Sequence, residues 1–435
     1  MTPAARLAAA IEVVASIDAE RRPAADALKS WGLAHRFAGS GDRAAIAGLV
    51  YDALRRRASS AFLMGADTPR AILLGMLRRE RGLEAETIAK LADGSRFAPE
   101  PLTDDERARL VSGDIAGAPA HVAGDYPEWL DSAFAASFGD ERAEEGAALA
   151  SRAPLDLRVN TLKAERDVAA AMLADLAPEP ARWSPWGLRI RLAADAKAPP
   201  VHAEPAFLKG LVEVQDEGSQ LAALFAGAKP GEQVLDLCAG AGGKTLALAA
   251  MMENKGQIFA TDDDKRRLAP IHERLKRAGA RNVQVRTPKS IGSEINDLQG
   301  RMDLVLIDAP CTGTGAWRRN PDAKWRMRPG ALEQRVKDQA EVLDRAVPML
   351  KSGGRIAYVT CSVLEAENGA QVRAFLARHP SFSAAPASEI VVPLGERAFL
   401  FGKAIRTSPE GVLMTPRATG TDGFFVSILR ASGAA

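Results

Sequence analysis

The chain holds three cysteines, Cys238, Cys311 and Cys361, and each ends or closely follows a short apolar run. The runs are 234–238 (VLDLC), 303–307 (DLVLI) and 355–359 (RIAYV), each of the length and composition of a buried strand. A buried cysteine is often only a small hydrophobe. As a thiolate it is a strong nucleophile, able to split one difficult step into two easier ones through a covalent intermediate. Ligands of open α/β sheets bind outside the carboxyl ends of the strands, so the three thiols are expected to face one crevice.

The surroundings distinguish two of them. Ser362 with Glu365 three residues on is a capping-box pattern, which predicts a helix starting immediately after Cys361. A helix N-terminus favours the thiolate, although Glu365 and Glu367 oppose it. Cys311 lies in the Pro/Gly-rich stretch 308–315 (DAPCTGTG), which suits it to following a substrate.

Cys238 opens a second candidate site. The run 234–238 leads into Ala239, Gly240, Ala241, Gly242, Gly243 and Lys244, followed by a helical pattern. Small residues let backbone approach a ligand, and a helix N-terminus offers free N–H groups to an anion. Asp262 stands at the end of the next strand, where an acid can hold ribose hydroxyls. Gly243-Lys244-Thr245 also resembles the tail of a phosphate-binding P-loop. That motif needs Gly at position 238, where this chain has Cys, and it has no use for Asp262.

From about residue 218 to 435, strands at 234–238, 257–260, 283–286, 303–307, 355–359 and 424–430 alternate mostly with helical patterns, as in a doubly wound, mostly parallel sheet. Residues 126–217 read as a small α+β module, with strands at 155–163 and 186–192 and a helix at 164–176. Residues 1–125 read as all-helical, with Leu7, Ile11, Val14 and Ile17 in helical register and a helix at 69–81.

Composition narrows the classes. The chain is 435 residues, 47% hydrophobic and 26% charged, with a formal charge of +2, so only local clustering can point to nucleic acid. No apolar run approaches a membrane span, and Glu12, Asp18 and Glu20 interrupt the place of a secretory segment. Without CxxC spacing or clustered histidines, no metal site is expected. A cytoplasmic protein, expected to be monomeric, is the reading that remains.

Six ordered motifs in the C-terminal half resemble the RNA cytosine-5 methyltransferases of the Sun family: 214–220, 235–245, 260–268, 308–315, 318–325 and 360–368, with 421–425 completing the set. Residues 42–56 resemble, more weakly, the helical NusB-like domain found before such enzymes. The resemblance implies a Rossmann-like class I methyltransferase domain, an α/β fold, at 218–435, preceded by an RNA-binding α+β module and a NusB-like RNA-binding domain. It implies S-adenosylmethionine held by Cys238 to Lys244, Asp262 and Asp308. It implies that Cys361 adds to C6 of a cytosine, that Asp308 binds the base edge, and that Cys311 assists release. Ribosomal RNA of the small subunit is the substrate expected, with transfer RNA or a non-catalytic role in ribosome assembly as alternatives.

Two departures from the family are visible. Ala241 replaces a proline, and the acid after the third strand is missing where the chain reads Arg286-Thr-Pro-Lys289, leaving Asp263 as a substitute. For RNA, two basic clusters stand out. Lys265, Arg266, Arg267, Arg274, Lys276, Arg277 and Arg281 crowd one helix and its exit. Arg318, Arg319, Lys324, Arg326 and Arg328 interleave with Trp317 and Trp325 beside the Pro-Cys loop, a pattern suited to phosphates and a splayed base; Arg318, Arg319, Lys324 and Trp325 are the contacts expected there.

Overall fold

Near-continuous apolar strands can be satisfied only by a sheet covered on both faces. In the computed structural model, which describes residues 1–192, 199–288 and 293–431, they form such a sheet. Its strands are β5 (Gln233–Asp236), β6 (Gln257–Ala260), β7 (Val283–Val285), β8 (Met302–Asp308), β9 (Leu350–Thr360), β10 (Phe382–Ala384), β11 (Arg406–Ser408), β12 (Gly411–Met414) and β13 (Phe424–Ala431). The spatial order is β11-β12-β13-β9-β8-β5-β6-β7, with β10 beside β13. β7, β6, β5, β8 and β9 run parallel, and β13 returns antiparallel along β9. After β5 the chain winds outward through β6 and β7, then comes back to place β8 on the other side of β5. The β5–β8 boundary is therefore the topological switch point, where a crevice opens beyond the strand ends.

Two hydrophobic layers cover the sheet. Val234, Leu304, Leu306, Ala357 and Val359 join one cluster; Leu235, Val305, Ile307, Ile356 and Tyr358 join the other. This alternation is what strands buried on both faces require. A second, antiparallel sheet of β1 (Leu155–Val159), β2 (Glu179–Pro180), β3 (Gly187–Ile190) and β4 (Val212–Val214) has the order β2-β3-β1-β4. Both sheets fall in one compact unit, made of 153–192, 199–288, 293–316 and 330–431.

The other unit combines Met1–Arg152 with Trp317–Pro329. Its helices begin where capping chemistry says they should. Thr2 and Thr68 accept from the backbone at the starts of Pro3–Glu20 and Pro69–Arg79, and Thr103 with Glu106 forms a complete capping box. Gly75 lies so near Ser60 that an added Cβ would fall 2.6 Å from the Ser60 carbonyl oxygen, so the two helices meet backbone to backbone.

Segment 317–329 corrects the second basic cluster. Trp317 is 1% exposed and stacks 5.8 Å from Phe134. Lys324 is also 1% exposed, and its ammonium donates to the carbonyls of Arg55, at 2.9 Å, and Asp125, at 2.5 Å. Arg318 is buried, and its carbonyl accepts from Arg55. The Trp325 indole donates to the Leu54 carbonyl, and Arg319 is half-buried. Arg318 and Lys324 thus do not present charge to a phosphate. Cations interleaved with aromatics here serve to anchor a long excursion within the helical unit, because buried carbonyls need donors as much as phosphates do. Among the described residues, no helix is long and apolar enough to cross a membrane.

Candidate functional site

The carboxyl ends of β5, β6, β8 and β9 lie side by side, because the parallel register sets Asp236 opposite Ala260 and Leu306, and Asp308 opposite Val359. After β5 the chain turns through Gly240 (φ 51°) and Gly242 (φ 82°) into the helix Gly243–Met251. A Cβ on Gly242 would lie 2.5 Å from Ile271, so this turn needs glycine for space as well as conformation. Asp262 is 3% exposed, accepting from the N–H of Gly240 with one oxygen (2.9 Å) and of Asp264 with the other (2.9 Å). Arg274 donates to the Ala241 carbonyl at 2.8 Å and pairs with Glu213. The tie from Arg274 fixes the loop at the residue where a proline is replaced.

These residues fit a nucleoside-bearing cofactor. The loop is open backbone at a helix N-terminus, and each Asp262 oxygen keeps a second lone pair for a ribose hydroxyl. Gly242→Ala is expected to weaken S-adenosylmethionine binding at least ~10-fold by calorimetry, because it adds both a clash and an L-residue at positive φ. Asp263 is differently engaged: it is more than half exposed and pairs with Arg345 at 2.9 Å. Arg286, where the third-strand acid is absent, pairs with Asp297 at 3.1 Å and lies over the Phe259 ring. Lys289 lies outside the described residues.

Under the loop, Lys244 is buried and donates to Asp308 at 2.7 Å, with Phe424 5.0 Å beneath its ammonium. Asp236 accepts from Thr245, while its other oxygen has no hydrogen-bond partner among the described residues. Burial pushes Asp236 up to about 7, the Thr245 hydrogen bond opposes this, and Asp308 adds to the rise. Sequence reading passed over Asp236, although an acid inside an otherwise apolar strand was the available signal.

Two of the three cysteines meet. Cys311 and Cys361 place their sulfurs 3.3 Å apart. Tyr358 sits within electrostatic reach of both Cys311 and Cys238. Burial first, then the carboxylates of Asp236, Asp262, Asp308 and Asp263, push the Cys238 thiol well up, so it is a poor nucleophile. The Cys311 thiol is also pushed well up, by its hydrogen bond with Cys361 first, then burial, then the charges of Cys361 and Glu367.

The helix expected directly after Cys361 is not there. A 3-10 turn, Glu365–Glu367, precedes the helix Gly369–Arg378. Glu365 pairs with Arg373, and the Ser362 hydroxyl donates to Glu367 rather than joining a capping box with Glu365. Burial explains the choice: Glu367 is fully buried and needs donors for its carboxylate, whereas Glu365 reaches solvent. Thr312 donates to Glu367 through both its N–H (2.8 Å) and its hydroxyl (2.5 Å), and Gln339 adds a fourth bond at 3.0 Å. The site is closed from behind by Gly315 and Gly423. A Cβ on Gly315 would fall 2.1 Å from the Gly423 carbonyl oxygen, which is how the 421–425 motif holds the Pro-Cys loop.

Of the first basic cluster, Lys265, Arg266, Arg267, Lys276 and Arg281 are exposed. Arg274 and Arg277 are spent internally on Glu213, and Arg277 also covers Phe207 at 4.0 Å.

Comparison with known families matches residues 223–430 to the one described as 16S rRNA methyltransferase RsmB/F, and residues 126–197 to the ferredoxin-like domain of RsmF/B-like methyltransferases. Ribosomal RNA small subunit methyltransferase B of Citrobacter koseri is 35% identical over 70% of this chain and 66% of its own length. The chain spans between 58% and 66% of the length of the curated relatives it matches. Among solved structures, PH0851 superposes with a TM-score of 0.70 at 25% identity over 99% of both chains. A methyltransferase homologue from Pyrococcus horikoshii gives 0.57 at 26% identity, over 72% of this chain and 97% of its own.

Proposed function

We propose that the chain, whose residues 223–430 match the family described as 16S rRNA methyltransferase RsmB/F, methylates C5 of a cytosine in small-subunit ribosomal RNA by covalent catalysis. The observation that carries the reading is the pair of thiols 3.3 Å apart at the ends of β8 and β9, beside the paired Asp308 and Lys244.

Cytosine C5 is a weak nucleophile until a group adds at C6. The Cys361 sulfur forms the bond to C6, and the ring electrons move toward N3, making C5 enamine-like. Asp308, oriented by Lys244, accepts from the exocyclic amino group and so holds the base edge, while N3 takes a proton from solvent as the electrons arrive. Bound at the loop 238–244 and Asp262, S-adenosylmethionine supplies an electrophilic methyl group for C5. Cys311, its own proton first lost to solvent, then takes the C5 proton, and the Cys361 sulfur departs as thiolate. Reaching the base calls for a flexible or extruded nucleotide. Exposed Lys265, Arg266, Arg267, Lys276 and Arg281 are the phosphate contacts of this reading. Such a substrate places the protein in the cytoplasm.

The test is transfer of a labelled methyl group into unmodified small-subunit ribosomal RNA and, in parallel, bulk transfer RNA, followed by nucleoside analysis. Label in 5-methylcytosine from ribosomal RNA supports the proposal. Preferential labelling of transfer RNA replaces the target, and cofactor binding with no transfer to either RNA favours an assembly factor.

A further inference from the structure

The buried Glu367 carboxylate gathers four hydrogen bonds beside the two thiols. Four donors meet its two oxygens: the N–H and hydroxyl of Thr312, the Ser362 hydroxyl and the Gln339 amide. Ser362 already accepts from the Leu364 N–H, so its own proton is free to go to the carboxylate. A carboxyl group met by four donors is a carboxylate, since a protonated one would have to aim its own hydrogen at one of them. Thr312 directly follows Cys311, and Ser362 directly follows Cys361. Gln339 also donates to the Pro310 carbonyl at 3.0 Å, on the other side of Cys311. A single buried charge thereby ties together the two loops that carry the sulfurs.

We infer that Glu367 is the positioning residue of the two-thiol site: it clamps the Cys311 loop against the Cys361 loop and sets the two sulfurs in unequal roles, Cys361 to attack and Cys311 to follow. Two sulfurs in contact do not both ionise readily, because the second negative charge forms beside the first. The titratable groups that act on Cys311 include Cys361, Glu367 and Tyr358. The Glu367 charge opposes ionisation of Cys311, while the geometry it enforces keeps Cys311 in hydrogen-bond contact with Cys361. This inference deepens the proposed cytosine chemistry and rests on it for its purpose, but its own test is read on the thiols without RNA.

The experiment labels the full chain with iodoacetamide at pH 8 and measures the rate at each cysteine by peptide mass spectrometry, for wild type and Glu367→Gln. Wild type is expected to react at Cys361 at least about tenfold faster than at Cys311. Glu367→Gln, which removes the charge and sets an amide against donors, is expected to bring the two rates within about threefold. In the same variant, kcat for methyl transfer is expected to fall at least about 30-fold with KM for RNA within about twofold, the split of a residue that orders reacting groups without touching substrate. Glu365→Gln, two residues away on an exposed ion pair, should retain both wild-type patterns. If Glu367→Gln does not fold, Thr312→Val decides, since it deletes one hydroxyl donor and should narrow the rate difference in part. Preserved tenfold ordering in a folded Glu367→Gln, unchanged ordering in Thr312→Val where that variant decides, or faster labelling of Cys311 in wild type, overturns the inference. Ordering that is present in wild type and lost in Glu367→Gln, with no methyl transfer by the wild type, leaves the thiol arrangement standing and removes the proposed reaction.

Discussion

Cys361→Ala is expected to lower methyl transfer by at least about 10³-fold while leaving S-adenosylmethionine affinity within about twofold. The size of the effect follows from the role. Without addition at C6, the cytosine ring offers C5 no electron pair, and positioning alone does not create one. The fold should tolerate the change. The Cys361 sulfur contacts Cys311, while the loop itself is held by the Cys361 carbonyl, which accepts from Gly315, and by the Ser362 hydroxyl on Glu367. Cys361→Ser is the sharper companion, because it keeps a hydrogen-bonding atom of similar size and loses the thiolate. Both variants should bind cofactor by calorimetry and yield no 5-methylcytosine; wild-type turnover in either transfers the nucleophile's role to another group.

The sheet was legible because its residues answer to local rules. Runs such as 257–260 and 303–307 are apolar, β-branched and short, and β6 and β8 form at or within a residue of the expected bounds. The Gly loop and Asp262 were legible because a fixed spacing along the chain becomes adjacency at strand ends. The choice between Glu365 and Glu367 was not. An i, i+3 spacing favours Glu365, and only burial shows that Glu367 faces the donors of Thr312 and Gln339, residues 55 and 28 positions away. Arg318 and Lys324, buried within segment 317–329, misled for a related reason. Arginine, lysine and tryptophan have the same composition whether they meet phosphates or the carbonyls of Arg55, Asp125 and Leu54. Charge on a sequence does not say which way it points, and a buried lysine with two carbonyl acceptors reads identically to an exposed one.

Cys311→Ala is expected to convert the protein into a trap, giving a protein–RNA band that survives denaturing electrophoresis and carries the labelled methyl group. After methylation C5 holds both a methyl and a hydrogen, and the Cys361–C6 bond can break only when a base removes that hydrogen. In the resting site Cys311 is rarely in its base form, because its hydrogen bond with Cys361 leads the causes that hold its thiol well above the ordinary range. Formation of the C6 bond alters that balance. Cys361 is then a thioether, which bears no charge and accepts a hydrogen bond only weakly, so the first cause of the rise weakens and the third disappears while burial and Glu367 remain. The thiol that stayed protonated during attack becomes easier to ionise at the stage when its base form is needed, and the 3.3 Å sulfur separation keeps it beside the adduct. Deleting it should leave addition and methylation within about tenfold of wild type and slow release by more than about 10²-fold, the usual contribution of a positioned general base. Cys311→Ala/Cys361→Ala should give no band, since no bond to C6 forms. Clean release of methylated RNA from Cys311→Ala would assign proton removal to a different group and leave Cys311 only its part in ordering the pair.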